Sequence, residues 1–252
     1  MSRTLLASNA LWTHCLRLRS APSRGAFRQL ATSGSQYPDD YRFYPTFFIF
    51  QEQCILLKAA LKKLDSMESG KARRRRREYL RSSPPTATPR SVQDLFLPDE
   101  YYDFQEARGH FDGVIKRYRE MHVTSWPEDM PEVLPLLDRL KEIHLNQDTQ
   151  THILHLASDG EILPHVDNVE ASGKWILGVS LGDERTLRLD NASSGKRYEI
   201  ALPSGSVYIQ KDAVRYEYQH SILGKSGGTG AADCRRQRLS IMIRDRIASQ
   251  QL

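Results

Sequence analysis

Five side chains in the C-terminal half of this chain are of the kinds that together hold a metal ion and an organic acid: His165, Asp167, His220, Arg238 and Arg244. If Leu163-Pro164-His165-Val166-Asp167 is extended, alternation sends His165 and Asp167 to one face and Val166 to the other. His220 follows far enough along for several strands to intervene and return it to the same spot. Two imidazoles and one carboxylate leave other coordination positions open, a set suited to Fe(II) and oxygen chemistry. A keto acid bound to such an ion still has a far carboxylate to be held. Arginine is the residue best shaped for that, because its rigid, always-charged fork pairs with both oxygens. Arg238-Leu239-Ser240-Ile241-Met242-Ile243-Arg244 supplies it, with Arg238, Ser240, Met242 and Arg244 on a site face and Leu239, Ile241 and Ile243 on a core face. Six residues of strand span roughly 20 Å, so the two arginines cannot grip the same carboxylate. Any one of the five alone reads equally well as an ordinary strand histidine or surface arginine. The ordered set points to an enzyme.

H-x-D, then a distal histidine preceded by Ala213-Val214-Arg215-Tyr216, then R-x5-R resembles the AlkB family of iron- and 2-oxoglutarate-dependent dioxygenases, and within it the mitochondrial branch of animals. The likeness extends through Pro203-Ser204-Gly205-Ser206-Val207-Tyr208-Ile209 and, upstream, through Ser125-Trp126 and the Arg73 to Arg77 run. It implies a double-stranded β-helix, or jelly roll, with N-terminal helices packed on it. It implies Fe(II) held by His165, Asp167 and His220 as the catalytic metal ligands, and 2-oxoglutarate as co-substrate. Arg238 would meet the far carboxylate, Arg244 would support the near carboxylate or the iron shell, and Tyr208 is a third candidate for the co-substrate pocket. The reaction implied is oxidative decarboxylation to succinate and carbon dioxide, coupled to hydroxylation of a C–H bond. The implied substrate is a macromolecule such as mitochondrial tRNA, demethylated after binding through Arg73, Arg74, Arg75, Arg76 and Arg77. The alternative is a protein hydroxylase or interaction module with a mitochondrial protein partner, in lipid metabolism or cell-death signalling. A non-catalytic metal scaffold is a third reading. Two departures weaken the carry-over of nucleic-acid repair: the family's N-x-Y pair falls on Leu154 and Leu156, although the mitochondrial branch shares those leucines, and an asparagine after the first arginine is Ser240.

The elements that must position these residues begin after a basic leader. Of 36 Lys and Arg and 31 Asp and Glu, the first 38 residues hold five arginines and no acid, so the remainder is formally neutral and any nucleic-acid footprint is local. Arg3, Arg17, Arg19, Arg24 and Arg28 among Ser, Leu, Trp and Phe read as a transit peptide over 1–38 and a mitochondrial matrix location. Residues 39–148 read as a helical extension and 149–246 as the β-helix core. Phe50, Cys54, Leu57, Leu61 and Leu64 mark an amphipathic helix, with Thr46 a candidate cap. The basic run follows, then a linker over Ser82 to Pro89. Phe111, Val114, Ile115 and Tyr118 predict a second helix, Val133 to Ile143 a third, and Trp126-Pro127 the turn between them. The alternative for Trp126 is stacking on a base.

From Thr149 short β-like runs take over: Thr151–Leu156, Ile162–Asp167, Lys174–Leu181, Arg185–Asp190, Arg197–Leu202, Ser206–Gln210, Tyr216–Ile222 and Arg238–Asp245, with Ser158-Asp159-Gly160 as a turn. About eight strands at such intervals argue for a closed or double-sheet β architecture. Gly224 to Gly230 contains G-K-S, but Gln219 stands where a P-loop needs glycine, so the segment reads as a hairpin loop or lid. His110, His122 and His144 have no partner at metal spacing, and His152 and His155, on opposite faces of one strand, receive no role. Cys15, Cys54 and Cys234 have no disulfide-framework spacing, and no apolar run approaches the roughly eighteen residues of a membrane span.

Overall fold

A computed structural model of the chain describes residues 36–84, 88–106, 113–144, 148–170, 173–223 and 236–246. Residues 1–35, with Cys15, lie outside the described residues, as do His110, Phe111, Cys234, residues 224–230 and the centre of the proline-rich stretch. The strands are β1 (Tyr41–Tyr44), β2 (Ile115–Val123), β3 (Thr149–His165), β4 (Trp175–Gly182), β5 (Arg185–Asp190), β6 (Arg197–Leu202), β7 (Val207–Lys211), β8 (Gln219–Leu223) and β9 (Arg238–Asp245). Four α-helices accompany them among the described residues: α1 (Phe50–Met67), α2 (Gly70–Ser82), α3 (Val133–Lys141) and the short α4 (Asp212–Glu217). Every pairing is antiparallel, in the order β1-β7-β4-β9-β3-β8-β5-β6, with β2 also on β3. This curled antiparallel sheet with helices against it is the double-stranded β-helix expected from the sequence.

The curl is made by β3. Its first half, Thr149 to Leu156, pairs with β9, whereas its end, Ile162 to His165, pairs with β8. Alternation then sorts each strand between two apolar layers. Ile153, Leu177, Val179, Leu181, Leu239, Ile241 and Ile243 pack outward against Leu56, Leu57, Leu61 and Leu64 of α1 and Val133, Leu136 and Leu140 of α3. Tyr118, Leu154, Leu156, Leu187, Leu189, Ile200, Leu202 and Ile222 fill the inside of the curl. The predicted core face of β9 is therefore the helix-covered one, and Arg238, Ser240, Met242 and Arg244 look inward.

Three element readings are corrected. Of the helix expected over Phe111 to Tyr118, the part from Ile115 onward is instead β2. Arg117, at φ 53°, forms a bulge between Lys116 and Tyr118, so Ile115 and Tyr118 fall on the same interior side and imitate a helical interval. Opposite that bulge, Ser158-Asp159-Gly160 is not a turn between two strands but the irregular middle of one long β3; a Cβ at Gly160 would meet the Arg117 carbonyl oxygen at 2.6 Å. The strand predicted from Tyr216 starts later, at Gln219, because residues 212–217 make the turn of α4. Trp126 accordingly lies between a strand and a helix, packed at the edge of the outer apolar layer. The cap of α1 is Ile49 rather than Thr46, its N–H held by the Glu52 carboxylate at 2.9 Å. β1 was not anticipated.

The basic run lies on α2, and part of it is internal. Arg76 pairs with Asp65 and with Glu68 at the end of α1. Arg119, 4 % exposed, reaches the same two carboxylates at 2.8 and 2.6 Å and lies over the Tyr102 ring at 4.1 Å. Its Nε donates to His155 Nδ1 at 2.9 Å. That bond makes Nδ1 the acceptor, so Nε2 carries the proton and donates to Gln237 Oε1 at 2.9 Å, while Gln237 Nε2 donates to Leu97 O and Asp99 Oδ1. Burial, with the Arg119 charge beside it, holds the His155 pKa well below the ordinary histidine range.

Two expectations follow. Glu68→Ala strips two buried guanidinium groups of a partner and should cost about 3–5 kcal/mol in urea unfolding, whereas Lys141→Ala, at an exposed pair with Asp138, should cost under about 0.5 kcal/mol. His155 is neutral in the folded state and titrates normally when unfolded, so its stabilisation is present above pH ~6.5 and is lost as pH falls, at up to ~1.4 kcal/mol per unit. Unfolding curves between pH 7 and 5 should be steeper in pH for the wild type than for His155→Gln, and nitrogen NMR should report a neutral Nε2–H ring throughout.

Candidate active site

The last pairing of β3 sets the two imidazoles side by side. His165 lies directly opposite His220 on β8, and their ring centroids are 4.3 Å apart. Asp167 is not on the strand, as simple alternation supposed; β3 ends at His165 and the carboxylate comes from the loop that follows. It nevertheless arrives on the same side, with Oδ1 3.3 Å from His165 Nε2 and 3.8 Å from His220 Nε2. One donor atom from each residue lies within 4.8 Å of the others. His165 Nδ1–H donates to the Leu163 carbonyl at 2.9 Å, which leaves the lone pair on Nε2, the nitrogen facing Asp167.

Electrostatics prepare the same three groups. Burial would raise the Asp167 pKa, but the neighbouring His165 and His220 rings and the Arg244 guanidinium together outweigh it and hold the carboxylate ionised. Burial pulls His220 down to about 4, against the opposing pull of Asp167. The set at neutral pH is thus an anionic oxygen beside a neutral His220 imidazole, with the His165 Nε2 lone pair at hand. Ligands ~2.1 Å from an ion and at right angles about it stand roughly 3 Å apart, so this donor set fits a divalent metal with small adjustments. Arg244 Nη2 lies 3.4 Å from the other Asp167 oxygen, which divides the carboxylate between the histidines and the arginine.

A second polar centre lies at the other end of β9. Arg238 is 1 % exposed; its Nε donates to Ser180 Oγ at 3.1 Å and its Nη1 to Ser240 Oγ at 2.5 Å. Its buried Nη2 has no acceptor among the described residues. A buried guanidinium nitrogen in that state calls for an oxyanion, and a carboxylate answers it. Tyr208 is buried beside it, stacked on Tyr41 at 6.1 Å and lying flat over Gly178, where an added Cβ would fall 2.4 Å from the ring. Burial raises the Tyr208 pKa, with the Arg238 charge pulling the other way, so the phenol keeps its proton.

All six residues singled out in the sequence therefore face the inside of one curled sheet, with His165, Asp167, His220 and Arg244 at one end and Arg238 with Tyr208 deeper. Others escaped notice. Ser180 belongs to Gly178, Ser180 and Gly182, a row of small residues on one face of β4 that was a readable sign of close approach. Arg215 was noted only as part of a motif, yet it is 2 % exposed and bonds the loop carrying Asp167. His152, given no role, pairs with Glu120 at 3.0 Å and stacks on His122 at 4.7 Å, on the face shared with Met242.

Comparison with known proteins agrees with this geometry. The chain is 32% identical over 119 residues to the mouse protein named alpha-ketoglutarate-dependent dioxygenase alkB homolog 7, mitochondrial, and 31% identical over the same length to its bovine counterpart. The matched stretch is 45% of this chain and 52% of each relative, so the chain spans about half the length of the curated relatives it matches. Among solved structures it is similar to a Pseudomonas putida prolyl-4-hydroxylase, at 13% identity and a TM-score of 0.49 over 82% of this chain and 93% of that one. The family model of the 2OG-Fe(II) oxygenase superfamily matches residues 40–244, a range that takes in every residue of the two polar centres. The chain belongs to the 2OG-Fe(II) oxygenase superfamily.

Proposed function

We propose that the protein is an AlkB-like dioxygenase in which His165, Asp167 and His220 hold Fe(II) and Arg238, with Tyr208, holds the far carboxylate of 2-oxoglutarate. The observation that carries this reading is the pairing of a three-donor cluster with a buried guanidinium that lacks one acceptor. With both groups bound, the centre couples decarboxylation of the keto acid to oxidation of a C–H bond by oxygen. The residues have separable tasks. The Leu163 carbonyl fixes the His165 tautomer. Arg244 balances the charge of Asp167 from the side away from the histidines. Ser180 and Ser240 fix the plane of the Arg238 fork, so the co-substrate meets a group already oriented. Gly178 leaves room for the Tyr208 ring over the strand.

Anaerobic titration with Fe(II) and 2-oxoglutarate should give a visible charge-transfer band in the wild type and none in His165→Ala; a wild type without the band overturns the reading. Arg238→Met should weaken 2-oxoglutarate binding by about 2–5 kcal/mol, roughly 30-fold to several thousand-fold.

A macromolecular substrate is the finer reading, and one observation favours it. Arg74 pairs with Glu78, Arg75 with Asp103 and Arg76 with the α1 carboxylates, but exposed Arg73 and Arg77 line a hollow of about 490 Å³ with Gly70 and Leu80 and with the paired Asp65 and Arg76. The substrate on this reading is mitochondrial RNA, a compartment in keeping with the mitochondrial relatives and the acid-free N-terminal stretch. Binding of mitochondrial tRNA should weaken with salt, and Arg73→Glu with Arg77→Glu should remove about two phosphates' worth of that dependence, a slope change of roughly 1.4 in log–log form. A salt-independent affinity, or none, favours a protein substrate instead.

A further inference from the structure

We infer that Arg215 is a positioning residue for the metal centre, one that sets the Asp167 carboxylate by clamping the main chain of its loop. The inference rests on the iron-binding reading above. The two histidines need no such help, because they sit in register on paired strands and are fixed by the ladder that joins β3 to β8. Asp167 has no ladder; it lies two residues beyond the end of β3. Arg215 makes up the difference. Its Nη1 donates to the Asp167 carbonyl at 3.0 Å and its Nη2 to the Asn168 carbonyl at 3.1 Å. Two donors in a rigid planar fork on two consecutive carbonyls fix both the position and the orientation of that peptide segment.

The fork takes main-chain oxygens and leaves both carboxylate oxygens to their other neighbours. Oδ1 faces the histidines and Oδ2 faces Arg244. Arg215 can therefore hold the ligand in place without competing for it.

The path of the backbone around Arg215 serves the same end. Residues 212–217 break the run between β7 and β8 into a helical turn, entered at Asp212 with φ 44°. The turn is pinned from two sides: Ala213 N donates to Asp40 Oδ2 at 3.2 Å, and Asp212 N to Lys174 O at 3.1 Å. An extended connection would alternate its side chains, whereas this turn buries Val214 and Arg215 together. The segment that leads into His220 thus also restrains Asp167, and the third ligand is coupled to the strand of the second.

The test is metal affinity against stability in the full chain. Co(II), followed by its visible d–d absorption, and anaerobic Fe(II) are the probes, and urea unfolding of the metal-free protein is the companion measurement. Arg215→Lys keeps a cation but cannot bridge two carbonyls; it should weaken both metals about 10- to 100-fold, the usual consequence of losing a group that orients a ligand. Val214→Ala, in the same turn but away from the loop, should lower stability without moving metal affinity. Arg215→Gln, which retains donors for one carbonyl only, serves if the lysine variant does not fold, and should fall between it and wild type. Unchanged metal affinity in the Arg215 variants, or an equal loss in Val214→Ala, overturns the inference. A wild type that binds neither metal overturns the iron-binding reading itself, a result distinct from both.

Discussion

Strand β3 changes partners along its length, and the chemistry of the molecule depends on that exchange. Its first half is bonded to β9, which carries Arg238 and Arg244, and its last residues are bonded to β8, which carries His220. A straight strand could not pass from one partner to the other, and the middle is bent by the irregular pairing around Arg117 and Gly160. The cost of a broken ladder at that bend is offset locally. Arg185 donates to the Ser158 carbonyl at 2.9 Å, and the Asp99 carboxylate accepts from the Ser158 N–H at 3.0 Å. The bend thus keeps its backbone groups paired while turning His165 toward His220.

The polar groups that build the site lie inside the curl, with Asp167 set between its histidines and Arg244. Outside it, between helices and sheet, apolar side chains are joined by one buried polar network, Arg119 with His155 and Gln237. Arg238 is held in a bed of two serines rather than opposite a carboxylate of the protein. A protein carboxylate there would satisfy it and remove its reason to bind an acid from solution. By contrast, Arg119 and Arg76 are paired with Asp65 and Glu68 and serve to fasten α1, α2 and β2 together. The presence or absence of an internal acid thus separates Arg238 from Arg119 and Arg76.

Much of this was legible in order and spacing. β9 is regular from Arg238 to Asp245, so period-two reasoning sorted its residues correctly between site and core. Strands β5 and β6 matched their expected limits for the same reason. Reading failed where the backbone departs from a single period. The bulge at Arg117 placed Ile115 and Tyr118 on one side and so mimicked a helix. Asp167 reached the right place by a loop rather than by alternation. Arg215 could not be foreseen as a clamp, because its partners are main-chain carbonyls far away in sequence, which leave no trace in residue types. The isolated charge of the basic run was likewise misleading: sequence alone does not show that Arg76 meets two acids from the preceding helix.

The short first strand has a consequence for where the chain can be trimmed. β1 forms one edge of the sheet, in register with β7 from Tyr41 opposite Gln210 to Tyr44 opposite Val207. Its Tyr41 ring backs Tyr208, and Tyr37 packs in turn against Tyr41 and Phe43. A proteolytic cut that removed these aromatics would unzip the rim of the barrel behind the deep arginine, leaving β7 as a bare edge open to pairing with another chain. Any trimming that spares this edge stops ahead of Tyr37.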